Sequence, residues 1–385
     1  MAGVPQQPEP HTRAPAIYDH MPAILGHLEN HQVVIVSAAP GSGKSSALPR
    51  CLATSGYGPV ICAQPRHFAA AVASAKAGEE WERDVAFTTT RRLLDAFRAA
   101  RRPSSVLAAF RAVVIDEAHD RTLCTDALLA AVRAAWWSAP PARRTATRSA
   151  ASSSARRSSA RHPVTVRHSR GPVLDLLSAV VDEVAEIHGS RLAGDVLAFL
   201  PDVVRVEEAY RRLGLPWLVA CRMHDHLPAE LMGDALGPAP DGCRKVVLAT
   251  DVAETAVRVP GITYVVDPGM ASEEPFEMIS REAARRRLAV AGDAGPGHCH
   301  RLYMEDEYAA FDEHTVPAIM RDGALSKLAL MLKRHAADDI PDFELLDSSA
   351  LPELEDMVDQ LVAAGYMNKL GELTDKGESE GYDED

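Results

Sequence analysis

Residues 112–123, Ala112-Val113-Val114-Ile115-Asp116-Glu117-Ala118-His119-Asp120-Arg121-Thr122-Leu123 (AVVIDEAHDRTL), decide the reading of the chain. The apolar run Val113–Ile115 is too short for a helix of its own and reads as a buried strand of a parallel sheet. It delivers Asp116 and Glu117 at its carboxyl end, where open α/β sheets bind ligands. Two adjacent carboxylates at a strand tip suit a divalent cation and a water. Asp116 would hold Mg²⁺, directly or through water, and Glu117 would orient or deprotonate the attacking water. An acidic pair alone is more often a solvated turn, so this reading requires a phosphate-binding loop upstream.

The chain has one. VVIVSAAPGSGKSSALPRCL (33–52) reads as a strand, Val33–Val36, a glycine-rich turn, and a helix starting near Lys44. The turn follows the phosphate-loop pattern GxxxxGK[ST], with Ala38 in place of the first glycine. Gly41 and Gly43 let backbone N–H groups curl around phosphate, and the helix N-terminus adds its dipole. The phosphate-binding set is therefore Pro40, Gly41, Ser42, Gly43, Lys44, Ser45 and Ser46. Lys44 would pair with β- and γ-phosphates, and the Ser45 hydroxyl with Mg²⁺.

Composition is compatible with this reading. A chain of 385 residues has room for two or three domains, and its apolar fraction of 46% is enough for large cores. The net charge of −13 argues against a general polyanion binder but leaves room for a local basic groove. Charge is unevenly spread: residues 127–174 hold nine arginines and no acid, whereas half of residues 372–385 are acidic. The six cysteines form no CxxC pair, which suits reduced thiols in an intracellular, soluble protein of cytoplasm or nucleus. No signal-peptide core and no run long enough to span a bilayer is expected, so no membrane partner is expected either.

Residues 1–16 are Pro/Gln-rich and read as a disordered N-terminus. A first α/β domain is expected over 17–139, with further strands at Val60–Ala63 and Val85–Thr88. Their loops, AQPRHF and TTTRRLL, should emerge on the same sheet edge as the phosphate loop. Arg66, Thr89, Thr90 and Arg91 are thus candidates for a nucleic-acid backbone; plain loops and helix caps are the alternative. Residues 140–162 form a Ser/Ala/Arg stretch without strand pattern and read as loop or disorder. A second α/β domain is expected over 163–310, with a helix at Val173–Ile187, strands at Val196–Leu200, Val246–Thr250 and Thr263–Val266, and a final strand, Cys299–Tyr303, closing it. Residues 311–373 read as helices plus a turn and hairpin, a small winged helix, and 374–385 as an acidic tail. Cys221/His224/His226 and His298/Cys299/His300 carry zinc-ligand types, but neither has a spaced partner pair, and ordinary strand and loop residues are the favoured reading.

From about Tyr18 to Gly377 the chain resembles the DEAH-box helicases of superfamily two. The matching stretches, in family order, are ENHQVVIVSAAPGSGKSS, AQPRHFAAA, TTTRRLL, DEAHDRTL with Thr125-Asp126, GDVLAFLP, HDHLPAE, KVVLATDVAETA, GITYVVDPGM and GPGHCHRLY. The resemblance implies two RecA-like parallel-sheet domains with ATP in the cleft between them, followed by a winged-helix domain. A single strand of nucleic acid, RNA before DNA, would lie across both domains. By position, Lys44 and Ser45 hold phosphate and Mg²⁺, Asp116 and Glu117 serve the metal and the water, and His119 couples the site to the second domain. Arg66, Thr89 and Thr250 would touch the nucleic-acid backbone, and Met270 stands where the family packs a residue against adenine. A protein activator is a further expected partner, and the chain is expected as a monomer.

Departures from the family bear on turnover. Thr145-Ala146-Thr147 is the nearest match to the SAT motif, without a buried strand before it. The motif that in the family supplies arginines to the γ-phosphate, QRxGRxGR, reads RRLAVAGD (286–293): Arg287 survives, whereas Val290 and Asp293 replace the later arginines. Losing such an arginine removes about 10³–10⁵ in rate. The segment 269–280 is short for the family's strand-separating hairpin, Ala256 and Arg258 replace hydroxyl residues, and Ala318 replaces a glutamate. The chain also ends where the family continues into ratchet and OB-fold domains. Two functions follow: an ATP-dependent RNA helicase with Glu117 as base, or a degenerate relative that binds ATP and nucleic acid with little turnover and acts as a regulator or assembly partner.

Overall fold

The computed structural model describes residues 16–38, 42–77, 84–100, 103–138, 148–153, 162–190, 192–255, 259–273, 276–315, 324–335 and 351–379, and the statements below concern these. The first domain is built on β1 (Val33–Ser37), β2 (Val60–Gln64), β3 (Val85–Thr89), β4 (Ala112–Ile115) and β5 (Arg148–Ser153). They pair in parallel in the order β1-β5-β4-β2-β3. β2 and β4 are buried along their whole length, which is why they read as unbroken apolar runs. The helices are α1 (Ile17–Asn30), α2 (Ala47–Leu52), α3 (His67–Ala77), α4 (Thr90–Ala99), α5 (Pro103–Leu107) and α6 (Leu123–Ser138). α1 buries Ile17, Met21, Ile24 and Leu28, a single stripe at helical spacing, against Leu48, Leu52, Cys62 and Val114.

Two expectations for this domain are corrected. The Ser/Ala/Arg stretch is not wholly loop: residues 148–153 form β5, an interior strand hydrogen-bonded between β1 and β4. The first domain therefore runs past residue 139; β5 follows Thr145–Thr147 rather than preceding them, and residues 139–147 lie outside the described residues. Ladder hydrogen bonds on both sides hold it, so its own side chains need not carry an apolar pattern. The helix after the phosphate loop begins at Ala47 rather than near Lys44, because residues 42–46 form successive bends and turns.

The second domain holds β6 (Val164–His168), β7 (Asp195–Phe199), β8 (Leu218–Met223), β9 (Arg244–Ala249), β10 (Ile262–Asp267) and, beyond a hairpin of β11 (Met270–Glu273) and β12 (Phe276–Met278), β13 (Gly297–Arg301). The six sheet strands are parallel in the order β6-β13-β10-β7-β9-β8. Sequence reading missed β6 and β8; its final strand, Cys299–Tyr303, corresponds to β13, the last in chain order. β13 is interior, and the exposed β6 forms the edge. Helices α7 (Leu176–Gly189), α8 (Val203–Arg212), α9 (Ala229–Leu236), α10 (Val252–Thr255), α11 (Arg281–Ala291) and α12 (Glu305–Ala310) surround this sheet. At the β10–β11 turn Gly269 has φ +75° and lies so close to the Tyr303 ring that a Cβ would sit 2.5 Å from it, so only glycine fits.

Three more helices, α13 (Ala324–His335), α14 (Leu351–Ala363) and α15 (Asp375–Ser379), follow, with one antiparallel bridge between Met367 and Leu373. They dock on the first domain: Leu328, Leu332, Leu361 and Met367 share an apolar cluster with Leu93, Phe97, Ala127 and Leu128.

Candidate active site in the interdomain cleft

At the tip of β4 the chain turns sharply. Glu117 (φ 47°, ψ 36°) and Arg121 (φ 48°, ψ 40°) both lie in the left-handed region, flanking the short helical turn Ala118–Asp120. Each such residue costs about 1–3 kcal/mol and persists only where surrounding contacts enforce it. Those contacts are present. Arg121 grips Asp126 with two bonds, Nε to Oδ1 at 2.7 Å and Nη2 to Oδ2 at 3.1 Å. The Thr122 hydroxyl accepts from the Thr125 N–H at 3.1 Å and lies 2.9 Å from the Thr125 hydroxyl, tying off the start of α6. The specificity of DRTL…TD is thus mechanical: the two halves lock one strained turn.

The locked turn presents two carboxylates. Asp116 is fully buried, its N–H bonded to the Ala63 carbonyl at 2.9 Å and its Oδ2 accepting from Gln64 Nε2 at 2.8 Å. Gln64 ends β2 and was missed from sequence, although it stands in the quoted AQPR stretch. Glu117 is pushed up to about 8, first by burial and then by the charges of Asp116 and Asp120, against the pull of Lys44 and Arg286. Asp120, a second residue missed from sequence, is pushed up to about 7 by burial, with Arg66 and Arg286 opposing.

From the phosphate loop, Lys44 is buried and donates Nζ to the Ala38 carbonyl at 2.8 Å. Gly43 takes φ 98°, and its carbonyl accepts from the N–H groups of Ala47 and Leu48, seating α2 behind the loop. Ser42 is buried, while Ser45 and Ser46 are half-buried. Pro40, Gly41 and the side chain of His119 lie outside the described residues, as do residues 139–147 with Thr145–Thr147, and Ala256, Arg258 and Ala318. A buried carboxylate and a serine hydroxyl are hard-oxygen donors suited to Mg²⁺ held together with substrate phosphates, and the neighbouring lysine would pair with those phosphates. Among the described residues no group of three or more His, Cys, Asp or Glu gathers as a metal site. His298 and His300 instead lie against Tyr264, His300 also bonding Glu183, while Cys299 is buried.

The second domain closes on this turn with charge. Arg66 reaches across to Asp225 (2.6 Å) and Asp251 (2.5 Å), and although burial works against its charge, the two carboxylates hold its guanidinium protonated. It is therefore paired rather than presented to an open face. Thr89 caps α4, accepting from the Arg92 N–H at 3.0 Å; Thr90 is fully buried, Arg91 half-buried and Thr250 buried. These four do not assemble into one exposed surface in this arrangement. Arg287, expected at phosphate, lies 2% exposed inside the second domain. It bonds Asp267 (2.9 Å), Glu254 (3.0 Å) and the carbonyl of buried Met270 (3.4 Å), and its guanidinium sits 4.7 Å from the Phe199 ring centre.

No protein-family model matches the chain. A curated relative, the pre-mRNA-splicing factor ATP-dependent RNA helicase prp22 of Schizosaccharomyces pombe, is 29% identical over 405 residues, covering 92% of this chain and 35% of the relative. The chain thus spans about a third of that relative's length. A solved structure of the Escherichia coli DEAH/RHA helicase HrpB aligns with TM-score 0.78 and 22% identity, covering 94% of this chain and 52% of that one. Another, of the E. coli DExH-box NTPase HrpB, gives 0.73 and 22%, covering 95% and 50%. In sequence and in fold the chain resembles the DEAH-box RNA helicases.

Proposed function

We propose that the chain is an ATP-dependent nucleic-acid helicase of the DEAH-box type, acting on RNA and hydrolysing ATP between its two α/β domains. The observation that supports this most is the position of Glu117. It sits on a locked turn beside Asp116 and is acted on by Lys44 of the first domain and Arg286 of the second. With its carboxyl pushed up to about 8, Glu117 in its ionised form is a stronger base than an ordinary glutamate, which suits it to take a proton from water. Lys44 would hold the β- and γ-phosphates, with Ser45 and Asp116 as the residues that would hold Mg²⁺. When bound, that ion neutralises phosphate charge as the reaction proceeds. Gln64 fixes the Asp116 carboxylate, so the cleft is organised before substrate arrives.

Arg66 after β2, Thr89 at the end of β3, Thr90 and Arg91 at the start of α4, and Thr250 after β9 carry the proposed contact with a single nucleic-acid strand. That contact requires rearrangement, because here Arg66 is held by Asp225 and Asp251 and the three threonines are buried. Contacts of this kind read backbone rather than bases, so little sequence preference is expected. α13, α14 and the Met367–Leu373 bridge support a winged-helix reading of residues 311–373. The deciding experiment is ATP hydrolysis with and without single-stranded RNA, comparing the chain with Glu117→Gln. The expected result is RNA-stimulated turnover that the substitution abolishes. Turnover no greater than that of the variant, with ATP still bound through Lys44, would reduce the cleft to a nucleotide-binding site.

A further inference from the structure

Positions 290 and 293 are valine and aspartate where the resemblance implies arginines, and Arg287 is enclosed by Asp267 and Glu254. Arg286 is placed differently. One residue along a helix turns the side chain by about 100°, and this carries Arg286 out of the second domain's core toward the cleft. Its Nε and Nη2 both hold Glu254 Oε1 at 2.8 Å, and its Nη1 lies 3.2 Å from Glu282. Glu254 stands on α10, three residues after Asp251, and Asp251 takes Arg66 of the first domain at 2.5 Å. The cluster Arg66–Asp251–Glu254–Arg286 therefore bridges the cleft beside the Asp116–Arg121 turn. Consistent with that, the Arg286 charge acts on both Glu117 and Asp120, against the effect of burial. Arg286 and Val290 lie four residues apart on α11, and so on one helix face.

We propose that Arg286 is the γ-phosphate arginine of this chain, standing one helical turn before the position where the motif's arginine is missing. This assignment rests on the ATPase reading above. Glu254 holds one side of the guanidinium and is its positioning group. Nη1, resting on the partly exposed Glu282, is the donor that turns to phosphate. In the reaction the water oxygen forms a bond to the γ-phosphorus and a water proton passes to Glu117. The bond from the γ-phosphorus to the β–γ bridging oxygen breaks, with its electron pair leaving on ADP. Arg286 makes no covalent bond; its N–H groups offset the charge on the transferring phosphoryl group.

The test uses the full chain with Mg²⁺ and measures two quantities, kcat for ATP and the ratio of ATP to ADP affinity. Affinities are taken in the Glu117→Gln background, so that ATP persists. Arg286→Gln is expected to lower kcat by about 10³ or more and to bring ATP affinity down to that of ADP, leaving ADP affinity within about twofold. Arg286→Lys, which keeps the charge beside Glu254, should recover part of the ATP preference. Unchanged kcat and unchanged ATP/ADP ratio in Arg286→Gln would overturn the assignment. Equal loss of ADP binding in both the Gln and Lys variants would also overturn it, because the role would then be structural. The two readings separate cleanly. No turnover in the unmodified chain, with an ATP preference that Arg286 carries, sinks the ATPase reading and keeps this contact; RNA-stimulated turnover indifferent to Arg286→Gln does the reverse.

Discussion

Asp120 shows how closely charge is balanced in the cleft. Its carboxyl is pushed up to about 7 because burial, with Asp251 and Glu254 nearby, outweighs the attraction of Arg66 and Arg286. An unfolded aspartate titrates near 3.9. The fold therefore holds this proton more tightly than the unfolded chain does, and its stability falls as pH climbs from about 4 through 7. Asp120→Asn removes that penalty, so in nucleotide-free melts its Tm advantage should be larger at pH 8 than at pH 6. A variant less stable than the parent at pH 8 would show that the ionised carboxylate serves Arg66 after all. Arg287 is the opposite case: removing it leaves Asp267 and Glu254 buried with too little counter-charge. Arg287→Leu should destabilise the second domain by about 3–5 kcal/mol in urea titrations; a loss below about 1 kcal/mol would mean that the Tyr303 hydroxyl (2.8 Å) and the Gly269 N–H (3.0 Å), which also bond Asp267, satisfy it unaided. Lys44, Asp116 and Glu117 were legible in sequence because each belongs to one local strand–turn unit. The pairs Arg66–Asp251 and Arg286–Glu254 join residues 185 and 32 apart, and no local pattern announces them.

The strands fall into the same two groups. Apolar runs such as Val60–Ala63 and Val113–Ile115 announce themselves, since a strand buried on both faces has few other compositions open to it. β5 does not: Arg148-Ser149-Ala150-Ala151-Ser152-Ser153 has low β-propensity and resembles the linker around it. Its placement is a property of the sheet, which offers a parallel ladder on each side. In register, Ala150 faces Val34 of β1 and Val114 of β4. A proline there removes a ladder donor from an interior strand, a position proline does not tolerate. Ala150→Pro should accordingly lower the Tm of the first domain by several degrees and abolish ATP binding. Exchange protection of the second domain's β7, β9 and β10 should be unaffected. Undiminished ATP binding would mean that β1 reaches its place beside β4 without β5.

At the scale of the whole molecule, the first domain is held from two directions. The C-terminal helices share its apolar cluster, and Arg98 pairs with Glu378 at 2.6 Å. Across the cleft, Arg66 is held by Asp225 and Asp251 of the second domain. Neither relation can be read from periodicity, which reports which face of an element is buried but not against what. The Arg66 clamp bears on the helicase reading, because the arginine proposed to meet a nucleic-acid phosphate is already occupied by two carboxylates. Binding must then exchange carboxylate for phosphate at one guanidinium, and the clamp subtracts from affinity. Asp225→Asn with Asp251→Asn removes the two carboxylates bonded to Arg66. The double variant should bind single-stranded RNA several-fold more tightly, and its log K against log salt should steepen by about 0.7, the increment for one added phosphate contact. Fluorescence anisotropy across a salt series reads both quantities. Tighter binding with no change in slope would point to relief of general repulsion rather than to a freed Arg66. Weaker binding would mean the clamp sets the interdomain geometry on which the strand-binding surface depends.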